Sequence, residues 1–282
     1  MLKIQYGEEL AKKIEEGRYL KRKVTFRVNT IKATNEKIEK VLNEQSILFQ
    51  KVAWYDNAYI LENATESDLQ VLDIYKNGEI YLQSLSSMLP PIILNPKEGA
   101  DILDMTAAPG GKTTEIAALT DNKANITACE MNAIRAERLK YNIDKQGATS
   151  AYVMVKDSRQ IDDFFKFDQI LLDAPCSGSG TESFKASIID KCAKTQETLL
   201  RKALKILKPG CEMIYSTCSV LEKENENIVQ KVMKEFKCEI VPIKFERMDS
   251  LPLLPTKIPG TLVVMPNEFY EGFYIAKIRK TK

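Results

Sequence analysis

The sequence predicts an α/β protein, with a small α+β unit over residues 1–75 followed by a doubly wound, mostly parallel sheet over residues 76–282. Three observations carry this. From about residue 76, short apolar runs alternate with amphipathic stretches, the pattern of βα units in a parallel sheet. The first of those runs leads into a glycine pair, Gly110-Gly111, at the kind of strand end where such sheets bind ligands. The first 75 residues lack the alternation and mix helix-like with strand-like pieces.

In the first unit, residues 6–16 read as a helix and 24–31 as a strand. Residues 34–45 read as a second helix with Thr34 as its N-cap. Short strands follow near 52–55 and 59–61. In the second unit, strands are expected at 100–105, 124–130, 150–156, 167–173 and 211–217, with two more at 238–243 and 272–279. That makes a seven-stranded sheet. Helices fall between them near 112–120, 132–145, 190–208 and 222–236. No internal repeat or low-complexity segment interrupts the pattern.

Composition narrows the chemistry. Hydrophobic residues make up 44% of the chain, enough for a sizeable core, and the net charge of +2 does not by itself announce a nucleic-acid binder. One local basic cluster does stand out, Arg18, Lys21, Arg22, Lys23 and Arg27, and it reads as either an RNA path or a solvated surface. There is no histidine, which removes the Ser-His and Cys-His dyads and every histidine-ligated metal site. None of the six cysteines forms a CxxC pair, so no metal is expected, and their scatter fits a reducing compartment. Residues 1–20 lack a signal-peptide core, and no apolar run approaches the ~18 residues of a membrane helix. The expectation is a soluble, cytoplasmic monomer with no membrane contact.

The strand ends carry the candidate site. The first runs Asp104-Met-Thr-Ala-Ala-Pro-Gly-Gly-Lys-Thr113. Its glycines allow close backbone approach to a ligand, and the helix that follows offers free N–H groups to a carboxylate. A plain tight turn would use the same residues. A phosphate loop is disfavoured, because Thr106 stands where that pattern needs glycine. Glu130 ends the second strand, where it could accept from ribose hydroxyls, and Asp157 ends the third, where it could meet an adenine amino group. Adenosine recognition without a phosphate loop points to S-adenosylmethionine.

The fourth and fifth strands end Asp173-Ala-Pro-Cys176-Ser-Gly-Ser-Gly180 and Tyr215-Ser-Thr-Cys218-Ser219. A lone cysteine near a strand is usually an inert core residue, and Cys129, Cys192, Cys211 and Cys238 are read so. Two cysteines in Gly/Ser/Pro loops beside a cofactor loop suit carbon-5 methylation of cytosine. Carbon 5 is a poor nucleophile until a thiolate adds to carbon 6. Cys218 is the candidate nucleophile, Asp173 the acid at ring nitrogen 3, and Cys176 the aid to elimination.

These strings resemble the Nop/Sun (RsmB/Nop-type) family of S-adenosylmethionine-dependent RNA cytosine carbon-5 methyltransferases. Weaker matches are Phe26-Arg-Val-Asn-Thr30, Tyr81-Leu-Gln-Ser84 with Ser87, Glu224-Asn-Glu226, and Glu271-Gly-Phe-Tyr-Ile-Ala-Lys277. The resemblance implies a class I, Rossmann-like methyltransferase fold and an rRNA or tRNA substrate. It implies a cofactor site lined by Thr106, Ala107, Ala108, Pro109, Gly110, Gly111, Lys112, Glu130, Asp157 and Asp173. It also implies Cys218 as nucleophile, Cys176 in product release, and the N-terminal unit as the RNA-binding part. The chain departs from the family after Thr181, where Glu182-Ser-Phe-Lys-Ala-Ser187 replaces the usual arginines and proline. Two other readings are a non-catalytic RNA-binding or assembly protein that keeps the fold, and a DNA cytosine methyltransferase with Cys176 as nucleophile. Only about 60 residues follow Cys218, which leaves little room for a DNA target-recognition region.

Overall fold

The computed structural model describes residues 1–282. The first part of the chain runs α1 (Leu2–Tyr19), β1 (Thr25–Val28), α2 (Asn35–Glu44), β2 (Phe49–Val52), β3 (Tyr55–Leu61), α3 (Glu66–Gln70), α4 (Asp73–Lys76) and β4 (Ile80–Leu82). Its strands form an antiparallel sheet in the order β2-β3-β1-β4. Phe26, Val28, Ile38, Leu42, Tyr59 and Ile74 fill a core of their own there. Thr34 caps α2 as its position suggested, accepting from the Lys37 N–H at 3.4 Å. Of residues 52–55, Val52 ends β2 and Tyr55 opens β3, and the chain reverses at Ala53-Trp54 between them.

The rest of the chain runs α5 (Leu85–Leu94), β5 (Asp101–Asp104), α6 (Gly111–Leu119), β6 (Asn125–Glu130), α7 (Ala133–Gln146), β7 (Ala151–Val155), β8 (Phe167–Asp173), α8 (Ile189–Ile206), β9 (Leu207–Thr217), α9 (Glu226–Met233), β10 (Cys238–Ile240), β11 (Leu253–Leu254), β12 (Leu262–Val264) and β13 (Phe273–Lys280). One sheet joins all its strands in the order β11-β12-β13-β9-β8-β5-β6-β7, with β10 also pairing β13. Strands β9, β8, β5, β6 and β7 are mutually parallel, and β13 joins them antiparallel to β9. The sheet holds nine strands where the sequence suggested seven. The added pair, β11 and β12, are two and three residues long, too short for alternation to show. Two apolar cores of 30 and 28 residues cover the sheet's faces.

Helix α5 has no counterpart in the sequence reading, because Pro90 and Pro91 lie inside it. A proline has no N–H to give the carbonyl four residues back. Pro91 thus leaves the Ser87 carbonyl without its helical donor, and the Gln83 side-chain amide supplies one at 3.1 Å.

The two sheets are stitched together. Asn29, just after β1, donates to the Gly78 carbonyl at 2.8 Å and to the Gln146 carbonyl at the end of α7 at 2.7 Å. Helix α1 packs on the larger sheet's core through Ile14, and the Tyr6 hydroxyl donates to the Val220 carbonyl at 2.7 Å. No helix is long and apolar enough to cross a membrane.

Candidate active site

Four parallel strands deliver the candidate residues to one edge of the sheet. Strand β5 ends at Asp104, β6 at Glu130, β8 at Asp173 and β9 at Thr217, one residue before Cys218. Two cavities open there, of about 340 Å³ and about 320 Å³. Thr106, Ala108, Asp173 and Cys218 line both, so these residues form the seam between the two spaces.

The first cavity also takes in Glu130, Arg135, Asp157 and Cys176. Glu130 is only 4% exposed; one carboxylate oxygen accepts from the Asn132 N–H at 2.9 Å, and Arg135 stands 3.5 Å from the other. Asp157 is held bidentately by Arg159, at 2.6–3.0 Å, and that guanidinium keeps its carboxyl below the usual range. The loop between β5 and α6 is fixed from beneath by Asp104, which accepts from the Thr113 hydroxyl at 2.7 Å. Burial pushes the Asp104 carboxyl up to about 6. Gly110 adopts a φ of 111°, and a Cβ there would press on the Leu139 side chain at 3.1 Å. Only glycine takes that left-handed conformation without strain.

S-adenosylmethionine fits this first cavity chemically. A buried carboxylate with spare acceptor capacity faces it, a glycine-bent loop borders it, and the volume suits a ligand of that size. The loop residues divide, however. Thr106 and Ala108 line both spaces, whereas Ala107, Pro109, Gly111 and Lys112 line only the second; Gly110 lines neither. The Lys112 ammonium lies 2.7 Å from Asp173 Oδ2 and donates to the Ser87 hydroxyl at 2.8 Å. Burial is the largest single effect and works against its charge, but the Asp173 ion pair together with Asp104 and Cys218 raises it above the ordinary lysine range.

The second Asp173 oxygen, Oδ1, accepts from the Ser216 hydroxyl at 2.8 Å, and the Thr106 hydroxyl donates to the Asp173 carbonyl at 2.8 Å. Beside this pair the Cys176 and Cys218 Sγ atoms stand 3.1 Å apart. The hydrogen bond to Cys218 and burial both push the Cys176 thiol well up.

Glu224 holds the two cysteine loops together, a role the sequence reading missed. It is fully buried. It accepts from the Ser177 N–H at 2.7 Å, the Ser177 hydroxyl at 2.6 Å and the Ser219 hydroxyl at 2.7 Å. Those serines directly follow Cys176 and Cys218, so one carboxylate sets both loops. The acidic residue in the Glu224-Asn-Glu226 string was the available signal.

The basic cluster of the first unit does not survive as a surface. Arg27 is 0% exposed, because β1 turns it inward beneath the loop between β5 and α6. It donates to the Gln83 side-chain oxygen at 2.9 Å, to the Thr114 hydroxyl at 2.7 Å and to the Gly111 carbonyl at 3.1 Å. Glu115 lies 3.9 Å away. Arg27 therefore cannot reach RNA, and its assignment to the RNA path is corrected. Arg18 is also buried, its guanidinium over the rings of Tyr19 and Phe184 at 5.2 and 5.1 Å. Lys23 pairs with Glu62 at 3.1 Å, Arg22 is partly buried and Lys21 is exposed. Arg18 thereby packs against the departing 182–187 segment through Phe184.

Comparison with known proteins shows the family. The 16S rRNA methyltransferase RsmB/F family matches residues 91–279. The chain belongs to that family. A ribosomal RNA small subunit methyltransferase F of Shewanella piezotolerans is 33% identical over 276 residues, covering 91% of this chain and 57% of the relative. A tRNA (cytosine(49)-C(5))-methyltransferase of Pyrococcus abyssi is 33% identical over 275 residues, covering 92% and 88%. The chain thus spans little more than half the length of the F-type relatives. A solved methyltransferase homolog from Pyrococcus horikoshii superposes with a TM-score of 0.88 at 35% identity, covering 98% of this chain and 92% of that one. NSun6 from Pyrococcus horikoshii, solved with SFG, superposes at 0.89 and 24% identity over 100% and 97%, which bears on the fold. The fold is that of the class I methyltransferases.

Proposed function

We propose that this RsmB/F family chain transfers a methyl group from S-adenosylmethionine to carbon 5 of a cytosine in rRNA or tRNA. The observation that carries the reading is the pair of thiols 3.1 Å apart beside the Lys112–Asp173 ion pair, with Cys218 on the seam between the two cavities and Cys176 in the first. Glu130, Asp157, Thr106 and Ala108 would hold the cofactor in the first cavity. S-adenosylmethionine bound there supplies the methyl group. The target base would enter the second cavity, past Ser84, Glu271 and Phe273.

The chain's own residues then divide the work. The Cys218 thiolate forms a bond to carbon 6, and the ring double-bond electrons move toward nitrogen 3 and oxygen 2. The Lys112–Asp173 pair meets that charge with an ammonium donor fixed by two partners. After methyl transfer, carbon 5 gives its proton to a water molecule, the C–H electron pair restores the carbon 5–carbon 6 double bond, and the Cys218–carbon 6 bond breaks with its electrons leaving on the Cys218 thiolate. Cys176, in contact with the leaving sulfur, assists that elimination. The region of residues 1–75 would contribute to RNA binding.

The test is transfer of tritiated methyl groups to unmodified rRNA and tRNA transcripts, with nucleoside analysis of the product. Label in 5-methylcytidine is the expected result. Label in DNA only, or in no nucleic acid, would overturn the reading.

A further inference from the structure

We propose that one face of α7, together with Tyr75 and Tyr81, forms a subsite for an unpaired RNA nucleotide adjoining the target cytosine. The subsite presupposes the RNA reading above. A third cavity, of about 260 Å³, lies where the small sheet meets α7, and Tyr75, Tyr81, Arg138, Asn142 and Lys145 line it. It adjoins the proposed base pocket directly, because Tyr81, Leu82 and Pro109 line both spaces. A strand whose target base is turned into the second cavity therefore has this third one as its neighbour.

The lining has the chemistry of a nucleotide site. Arg138, Asn142 and Lys145 are spaced i, i+4, i+7 and share a helix face. The Asn142 amide donates to the Pro109 carbonyl at 2.8 Å, which ties that face to the loop between β5 and α6. No acidic residue lines the space. The ion pairs of α7 run through Arg135 and Lys140, leaving Arg138 and Lys145 without a carboxylate. A third cation stands close by, outside the lining, since the Lys32 ammonium donates to the Lys145 carbonyl at 2.6 Å. Burial and the Lys32 charge push the Lys145 ammonium below its ordinary range. A phosphate would relieve that crowding. The Lys145 ammonium already sits 3.7 Å from the centre of the Tyr75 ring, which places a cation and an aromatic wall side by side. Single-stranded nucleic acids are held by this combination of backbone cations and stacking rings.

The test uses the whole protein and a short fluorescent oligocytidylate, read by anisotropy across a salt series. R138E combined with K145E should weaken binding about tenfold or more and flatten the log–log salt slope by about 0.7 per lost contact. Y75A, which keeps both charges, should weaken binding about fivefold or more. For methyl transfer the charge reversal should raise KM while kcat stays within about twofold. S-adenosylmethionine affinity should be unchanged, which also reports that the variant is folded. If the reversal unfolds the protein, photo-cross-linking of 4-thiouridine-substituted oligonucleotide to the wild type decides, with peptides 75–82 and 135–146 expected to carry the label. Unchanged affinity and slope in a folded variant, or label confined to other peptides, overturns the subsite. So does wild-type protein that fails to bind the probe, or an acidic polypeptide that displaces it as readily as RNA does, which would assign the face to a protein partner. Wild-type binding without methyl transfer would instead count against the enzymatic reading alone.

Discussion

The Sγ atoms of Cys176 and Cys218 lie 3.1 Å apart, on loops from neighbouring parallel strands. That closeness is set from behind by Glu224, which bonds the residue after each cysteine. Glu224→Ala would leave an N–H and two hydroxyls buried without their acceptor. The expected loss of stability is about 3 kcal/mol or more, read by denaturant unfolding. Glu224→Gln keeps one acceptor and should lose less stability yet still lower kcat. A Glu224→Ala protein with wild-type stability would remove the clamp.

Arg27 sits under the loop that presents Lys112, where its guanidinium donates to Gln83, Thr114 and the Gly111 carbonyl. Arg27→Ala should destabilise the protein by about 3 kcal/mol or more, because it empties a fully buried site and leaves the Gln83 side-chain oxygen and the Gly111 carbonyl without their donor. The salt slope of RNA binding should not change in the protein that remains folded. A stable Arg27→Ala protein with a flattened slope would return Arg27 to the RNA surface.

Glu115 gives a pH dependence. Burial pushes its carboxyl up to about 8. The folded protein therefore binds this proton more tightly than the unfolded chain does. The associated stability is fully present below the unfolded value near 4.5 and is lost as pH rises toward about 8. Thermal unfolding across that window should show Tm falling with pH in the wild type and falling less in Glu115→Gln. Parallel curves for the two proteins would contradict the assignment.

Glu130 has one oxygen facing Arg135 at 3.5 Å and one taken by a backbone N–H, leaving acceptor capacity toward the first cavity. Glu130→Ala should weaken S-adenosylmethionine binding at least about tenfold by calorimetry, the loss expected from one charged hydrogen bond. An unchanged affinity would take Glu130 out of the cofactor site.

Much of the site was legible because its residues stand at strand ends, where a parallel sheet collects whatever the loops carry. Asp104, Glu130, Asp173, Cys176 and Cys218 needed only the period of the apolar runs to be brought to one edge. Arg27 was not legible. In the sequence it belongs to a basic cluster, and the partner that turns it inward, Gln83, lies 56 residues further on. Helix α5 was hidden by Pro90 and Pro91, which are tolerated because Gln83 fills the carbonyl that Pro91 leaves open. Glu224 looked like any acid before an amphipathic helix, since nothing local says that both its oxygens point into the protein.

The central claim is that Cys218 attacks the base and Cys176 helps to release it. The most direct measurement is a denaturing gel of each cysteine-to-alanine variant incubated with S-adenosylmethionine and labelled substrate RNA. Cys176→Ala should give a slow-migrating protein–RNA band, because attack proceeds and elimination is hindered. Cys218→Ala should give no band and no methylated product. A covalent band with Cys218→Ala and none with Cys176→Ala would exchange the two roles, and full activity in both variants would end the covalent account.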